Sequence, residues 1–237
     1  MISLLLADVL PLEDPAVYAS LYDMTSPERR RAADSFRFMK DRMLSVGASA
    51  LLDTGLRKFG LREQDMIYGR SEHGKPFFLN APDIHFNISH SATKVAVAFS
   101  DREVGCDIEE TFCARLSGQS VEREAAKCLE MAGRFFRQEE YLAIKAIENP
   151  SERIRVFYRC WTLKESYMKT TGLGMALAPD SFSVAALCTC ESGSLSPKVV
   201  DGFVFYTFDS FEGYECALCS KPEAGPPEVR IVTLCSP

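Results

Sequence analysis

The stretch Arg159-Cys160-Trp161-Thr162-Leu163-Lys164-Glu165-Ser166-Tyr167-Met168-Lys169-Thr170-Thr171-Gly172 decides the reading of this chain. At 3.6 residues per turn, Trp161, Glu165 and Lys169 share one helical face, so a carboxylate and an ammonium can converge on one ligand beside the single tryptophan. Alone, such a pair is usually a solvated surface pair. It is not alone. Upstream, Val104-Gly105-Cys106-Asp107-Ile108-Glu109 alternates apolar and acidic residues, and in a strand Asp107 and Glu109 point to the same side. The bland alternative is the solvated face of an edge strand. Two carboxylates on one face call for a cation, and magnesium is usually held by one or two carboxylates with water and substrate phosphate completing its shell. The expected substrate therefore carries phosphate.

Working outward, 237 residues with 46% hydrophobic and 25% charged side chains can bury a sizeable core. The net charge of -6 argues against general nucleic-acid binding, so any anion site has to be a local cluster. Ile2 to Leu10 lacks the charged start of a signal peptide and Asp8 interrupts it, so it reads as a first buried strand. With no run long enough to span a bilayer, a cytoplasmic protein that avoids membranes is expected. Nine cysteines, an odd number, suggest reduced thiols. Cys188, Cys190, Cys216 and Cys219 make a poor zinc set, because Cys-x-Cys is not the usual knuckle and both pairs lie in strand-like segments.

Along the chain, Ser26-Pro27-Glu28 marks a helix start, followed by Arg29, Arg30 and Arg31. Leu44, Ala48, Leu51, Leu52 and Leu56 recur at helical spacing, with Lys40 and Arg42 near the start and Gly60 placed to end the helix. Short strands are predicted at 66–68, 76–79, 84–88, 95–99 and 104–108, then helices over 120–147 and 152–171. Strands follow at 181–187, 203–208, 214–219 and 229–234. This segregation predicts an α+β chain of two sheet-plus-helix halves, 1–110 and 111–237.

Four blocks together carry a resemblance: Gly74-Lys75-Pro76, His85-Phe86-Asn87-Ile88-Ser89-His90-Ser91, Val104 to Glu109, and Trp161 to Lys169 with Gly172 and Gly174. In their order and spacing the chain resembles the Sfp-type 4'-phosphopantetheinyl transferases, from Ser26 to Val184. The resemblance implies that family's α+β fold of two similar subdomains with the active site between them. The first would carry the coenzyme A contacts and the Asp107/Glu109 strand, the second the motif helix and the carrier docking surface. The implied activity moves the phosphopantetheine arm of coenzyme A to a serine of an acyl or peptidyl carrier protein, converting apo to holo carrier and releasing adenosine 3',5'-bisphosphate.

The resemblance also implies magnesium on Asp107, Glu109 and Glu165, with Glu165 as general base toward the carrier serine and Lys169 at the pyrophosphate. Lys75, with Pro76 beside it, Ser89 and His90 match coenzyme A contacts. His90, flanked by serines, reads as a ligand in a polar loop, while His85 and His73 receive no role. The early helix runs Asp41-Arg42-Met43 where family members usually carry a second basic residue, so Arg29 and Arg42 are expected at the 3'-phosphate, with Arg30, Arg31 and Lys40 as substitutes. The segment 111–134 also looks longer than in compact members. A monomer is expected, docking its carrier through Met168, Leu173, Met175 and Leu177, flexible apolar side chains suited to several partners. A magnesium-dependent nuclease would need a basic groove that the acidic balance does not offer. A carrier-binding protein with a decayed site would lack one of the four key charges, and all four are present.

Overall fold

The chain forms two compact units that divide between Val104 and Gly105, with its last residues returned to the first unit. Unit 1 comprises 1–104 and 223–237, and unit 2 comprises 105–222. The computed structural model describes residues 2–111, 118–188, 198–209, 211–222 and 227–235.

Unit 1 begins with β1 (Ser3–Asp8), whose apolar run is buried as the sequence predicts. After a 3-10 turn come α1 (Pro15–Asp23), α2 (Pro27–Ser35) and α3 (Met39–Leu56). α2 starts where expected: the Ser26 hydroxyl accepts the Arg29 N–H at 3.3 Å and Pro27 occupies the first turn. After α3, a 3-10 turn ends at Gly60, whose φ of 72° is the left-handed conformation that glycine adopts without penalty.

The next strands are β2 (Tyr68–Arg70), β3 (Pro76–Phe78), β4 (His85–Ser91) and β5 (Lys94–Ser100). β2 and β3 form a two-stranded ribbon separate from the sheet that holds β4 and β5. β6 (Val104–Glu110) from Gly105 on, and the elements that follow, belong to unit 2 apart from the final strand, β10 (Glu228–Ile231). β10 pairs parallel with β1, giving the order β10-β1-β5-β4. That pairing is why the chain end belongs to unit 1, which a division at residue 110 misses. Leu5, Leu51, Leu52, Val97 and Phe99 anchor the core between this sheet and α3.

Unit 2 contains α4 (Gln119–Phe135), α5 (Gln138–Lys145) and α6 (Pro150–Thr171). It continues with α7 (Ala185–Cys188), β7 (Lys198–Val200), β8 (Phe203–Phe208) and β9 (Tyr214–Ser220). Its sheet runs β6-β9-β8-β7. β6 therefore lies in the same unit as the motif helix rather than in the N-terminal half. The expected strand over 181–187 is instead the end of a 3-10 turn (Pro179–Ser181) followed by α7. The β-branched and aromatic residues there serve as packing groups, with Val184 and Leu187 buried against α6 in the second core. α6 is bounded by local chemistry: Asn149 accepts the Glu152 N–H at 3.1 Å, Pro150 is first, and Gly172 at φ 72° ends it. The expected long connection 111–134 contains α4 from Gln119 onward, while 112–117 lie outside the described residues.

Among the described residues, no helix is long and apolar enough to cross a membrane. Cys160 and Cys188 are joined in a disulfide, against the expectation of reduced thiols. That removes Cys188 from any zinc set. Cys190 lies outside the described residues. Cys216 and Cys219 stand three apart on β9 and so face opposite sides of the strand.

Candidate active site

Close packing of α6 on β6 builds the site. A Cβ on Gly105 would lie 2.2 Å from the Ser166 carbonyl oxygen and 2.5 Å from the Thr170 nitrogen, so only glycine lets the helix backbone approach this strand. Thr170 adds a tie to β9, its single hydroxyl proton shared between the Cys219 carbonyl at 2.9 Å and Ser166 O at 2.7 Å. α6 is thereby held with Trp161, Glu165 and Lys169 along one half-buried stripe, as helical spacing predicts. The Trp161 ring lies 6.2 Å from Phe136 and 6.3 Å from Phe157, at the margin of the core.

Lys169 reaches β6. Its ammonium donates to Asp107 Oδ1 at 2.6 Å and to the Cys106 carbonyl at 3.3 Å. Asp107 is almost fully buried, while the Lys169 side chain keeps 25% of its surface exposed. Burial is the largest influence and alone would lower the Lys169 pKa, but the charge and hydrogen bond of Asp107, together with Cys106 and Glu165, outweigh it and hold the ammonium above its ordinary value. Glu165 is shifted upward too. Burial is the largest cause, the Asp107 charge adds to it, and Lys169 offsets part of both. Asp107, Glu165 and Lys169 thus form one electrostatic group of two acids and one base.

The expected metal triad is not assembled. Among the described residues, no three His, Cys, Asp or Glu side chains gather into a set able to hold a metal ion. Glu109 lies on β6 in the same alternation as Asp107 and is partly exposed, but Lys169 occupies one oxygen of Asp107. Chemically, the oxygen donors suit a hard cation: Asp107 Oδ2 is buried and accepts no hydrogen bond among the described residues, and the acids repel each other through Glu165.

Other expected residues lie in unit 1. The Lys75 ammonium donates to the Val104 carbonyl at 3.0 Å. Pro76 opens β3. Ser89 is buried and His90 exposed, and both stand on β4, so His90 is in a strand, paired with Val95, rather than in a loop. The turn lies beyond it, where Ala92 takes a φ of 51°. Arg29 is committed to α3 through Ser49 Oγ at 2.9 Å and Ser45 O at 3.0 Å. Arg42 donates to the Phe36 carbonyl at 2.9 Å, and Arg30 to the carbonyls of Thr25 and Asp23. Arg31 and Lys40 are exposed. Of the expected docking residues, Leu173 and Met175 are exposed, Leu177 is half-buried, and Met168 is core. Met168 falls four residues after Lys164 on the inward stripe of α6, which excludes it from a surface.

Sequence reasoning passed over Lys164, which is 1% exposed and paired with Glu140 at 2.9 Å. The signal was available: Cys160 and Met168, four residues to either side, are apolar, so a lysine between them faces the core.

With this geometry in place, the family model of the 4'-phosphopantetheinyl transferase superfamily matches residues 103–219. The 4'-phosphopantetheinyl transferase Sfp of Bacillus subtilis (strain 168) is 31% identical over 212 residues, covering 88% of this chain and 87% of that protein. The chain belongs to the 4'-phosphopantetheinyl transferase superfamily. The 4'-phosphopantetheinyl transferase gsp of Aneurinibacillus migulanus is 30% identical over 221 residues, 93% of this chain and 86% of that one. The L-aminoadipate-semialdehyde dehydrogenase-phosphopantetheinyl transferase of Xenopus laevis is 30% identical over 156 residues, 63% of this chain and half of that one. For this superfamily member the match covers β6 and α6 together, the two elements that hold Asp107, Glu109, Glu165 and Lys169.

Proposed function

We propose that the chain transfers the 4'-phosphopantetheine arm of coenzyme A to a serine of an acyl or peptidyl carrier protein. The observation that carries this reading is the group of Asp107, Glu165 and Lys169 on β6 and α6, inside the segment that matches the superfamily. Glu165, raised in pKa and half-buried, is suited to accept the proton of the carrier serine as its oxygen attacks the phosphorus nearer pantetheine. Lys169, held cationic by Asp107, is suited to neutralise charge on the departing adenosine 3',5'-bisphosphate. Positioning and charge carry most of the work in phosphoryl transfer.

Magnesium is part of the proposal, with Asp107, Glu109 and Glu165 as the residues that would hold it. When bound it would supply charge neutralisation at the pyrophosphate. Lys75, Pro76, Ser89, His90, Arg29 and Arg42 are proposed for coenzyme A, and the exposed Leu173 and Met175 for the carrier. The proposed setting is the cytoplasm, as a monomer without nucleic acid or membrane.

The test is incubation with coenzyme A, magnesium and purified apo carriers, read by intact mass. The expected result is a mass gain of one phosphopantetheine group, abolished by chelation. No gain across a panel of acyl and peptidyl carriers would overturn the reading.

A further inference from the structure

Lys164 precedes Glu165 on α6 and, a quarter-turn or so around the helix, faces into the core. An ammonium has three donors, and here each finds an acceptor. Glu140 Oε1 lies at 2.9 Å, the Pro179 carbonyl at 2.8 Å and the Phe182 carbonyl at 2.9 Å. The Phe182 ring lies 4.5 Å from Nζ. Glu140, 0% exposed, is saturated in turn: Oε1 accepts the Val184 N–H at 2.6 Å and Oε2 the Arg137 N–H at 2.9 Å. One buried polar cluster therefore joins α6, the start of α5, the 3-10 turn at Pro179–Ser181 and the chain entering α7.

Stability does not explain this cluster. Replacing a buried ion pair with apolar side chains of similar volume is often neutral or stabilising. What an ion pair with fixed acceptors adds is direction. Apolar contacts let a helix rotate or slide by a fraction of a residue with little penalty, whereas three hydrogen bonds from one ammonium do not. On the adjoining face stand Glu165 and Lys169, whose approach to Asp107 depends on that setting.

We propose that Lys164, together with Glu140, is a positioning residue that sets the rotation and axial position of α6 and so aims Glu165 and Lys169 at Asp107. This rests on the transferase reading for its kinetic consequence, but not for its structural one. Trp161, the single tryptophan, lies on the same stripe as Glu165 and reports the setting of α6 without any substrate.

Two variants test it in the full chain. Lys164→Met removes the ammonium. Glu140→Asp keeps both charges but shortens the reach, so it folds even where an uncompensated buried carboxylate in Lys164→Met prevents folding. In each folded variant the emission of Trp161 should shift to the red as its packing on Phe136 loosens, and coenzyme A affinity, measured by calorimetry, should weaken far less than kcat, because Lys169 is one of several proposed coenzyme A contacts. Where wild type transfers, kcat at saturating coenzyme A and carrier should fall, by about 100-fold for Lys164→Met, as a small misplacement at a reacting centre can cost. Folded variants with wild-type Trp161 emission and wild-type kcat would overturn the proposal. A wild type that transfers nothing would sink the transferase reading instead, while unchanged emission in folded Glu140→Asp would still overturn the positioning role.

Discussion

The Lys169 ammonium on α6 lies 2.6 Å from Asp107 Oδ1 on β6, across 62 residues of sequence. It neutralises an almost fully buried carboxylate and borrows that charge to stay cationic. Lys169→Met should therefore harm both folding and chemistry. Breaking a fully buried pair costs about 3–5 kcal/mol, and the partial exposure of Lys169 reduces this to about 2 kcal/mol. Denaturant unfolding checks the first effect and carrier modification the second. A variant of wild-type stability would show that Asp107 has another source of compensation.

Glu165 is proposed to act as a base as well as a ligand, whereas Glu109 is proposed as a ligand alone. Glu165→Ala should lower kcat by about 10²–10⁴-fold, the range for losing general acid–base catalysis, and Glu109→Ala by less. Raising magnesium should recover part of the Glu109→Ala loss and little of the Glu165→Ala loss. Near wild-type turnover by Glu165→Ala at saturating magnesium would remove Glu165 from the chemistry.

Gly105 carries a sharper steric prediction. Its absent Cβ leaves room for the backbone of α6, and backbone cannot swing aside as a side-chain tip can. Gly105→Ala should cost at least the upper part of the usual 1–3 kcal/mol range for overpacking and should reduce transfer by displacing Glu165 and Lys169. Gly60→Ala is the control. Nothing lies within 4 Å of its would-be Cβ, so only the left-handed φ of 72° opposes it, at about 1–2 kcal/mol, with activity intact. Thermal unfolding of the pair separates the two causes.

Helical spacing made Trp161, Glu165 and Lys169 legible as one stripe, and strand alternation did the same for Asp107 and Glu109, because both periods are local backbone properties. The caps at Ser26, Asn149 and Gly172 are equally local. What stayed hidden depends on long-range pairing. That β10 joins β1 in parallel is decided by partners more than two hundred residues apart, and nothing in Glu228 to Ile231 names β1. The Lys164 to Glu140 pair was hidden for the same reason, as was the commitment of Arg29 to α3. The segment 181–187 misled because its Phe, Val and Leu residues suit a strand or a packed turn alike.

Acid stability should depend on Asp53. Burial alone would raise its pKa, but the hydrogen bonds from Arg62, the Glu63 N–H and Arg57 outweigh it and hold the carboxyl below its ordinary 3.8. A depressed folded pKa means that the contribution is fully present above the unfolded value and is lost as pH falls through the folded one. Stability of the wild type should therefore drop as pH is lowered from about 5 to below 3, and Asp53→Asn should flatten part of that fall while lowering stability at neutral pH. Superimposable acid limbs for the two proteins would place the titration elsewhere.

The basic residues proposed at the 3'-phosphate of coenzyme A separate by what they already hold. Arg29 spends its guanidinium on Ser49 and Ser45, so Arg29→Ala should cost mainly stability, with coenzyme A affinity little changed in the folded fraction. Arg42 donates from Nε to Phe36 O, and His90 is exposed on β4. Arg42→Ala and His90→Ala should each weaken coenzyme A binding by about tenfold, the scale of one charge-assisted hydrogen bond, while leaving dephospho-coenzyme A nearly unaffected. The missing phosphate serves as the second mutation of a double-mutant cycle, so only a residue that touches that group distinguishes the two ligands. Equal losses for both ligands would move Arg42 and His90 away from the 3'-phosphate and make the exposed Arg31 and Lys40 the residues to replace next.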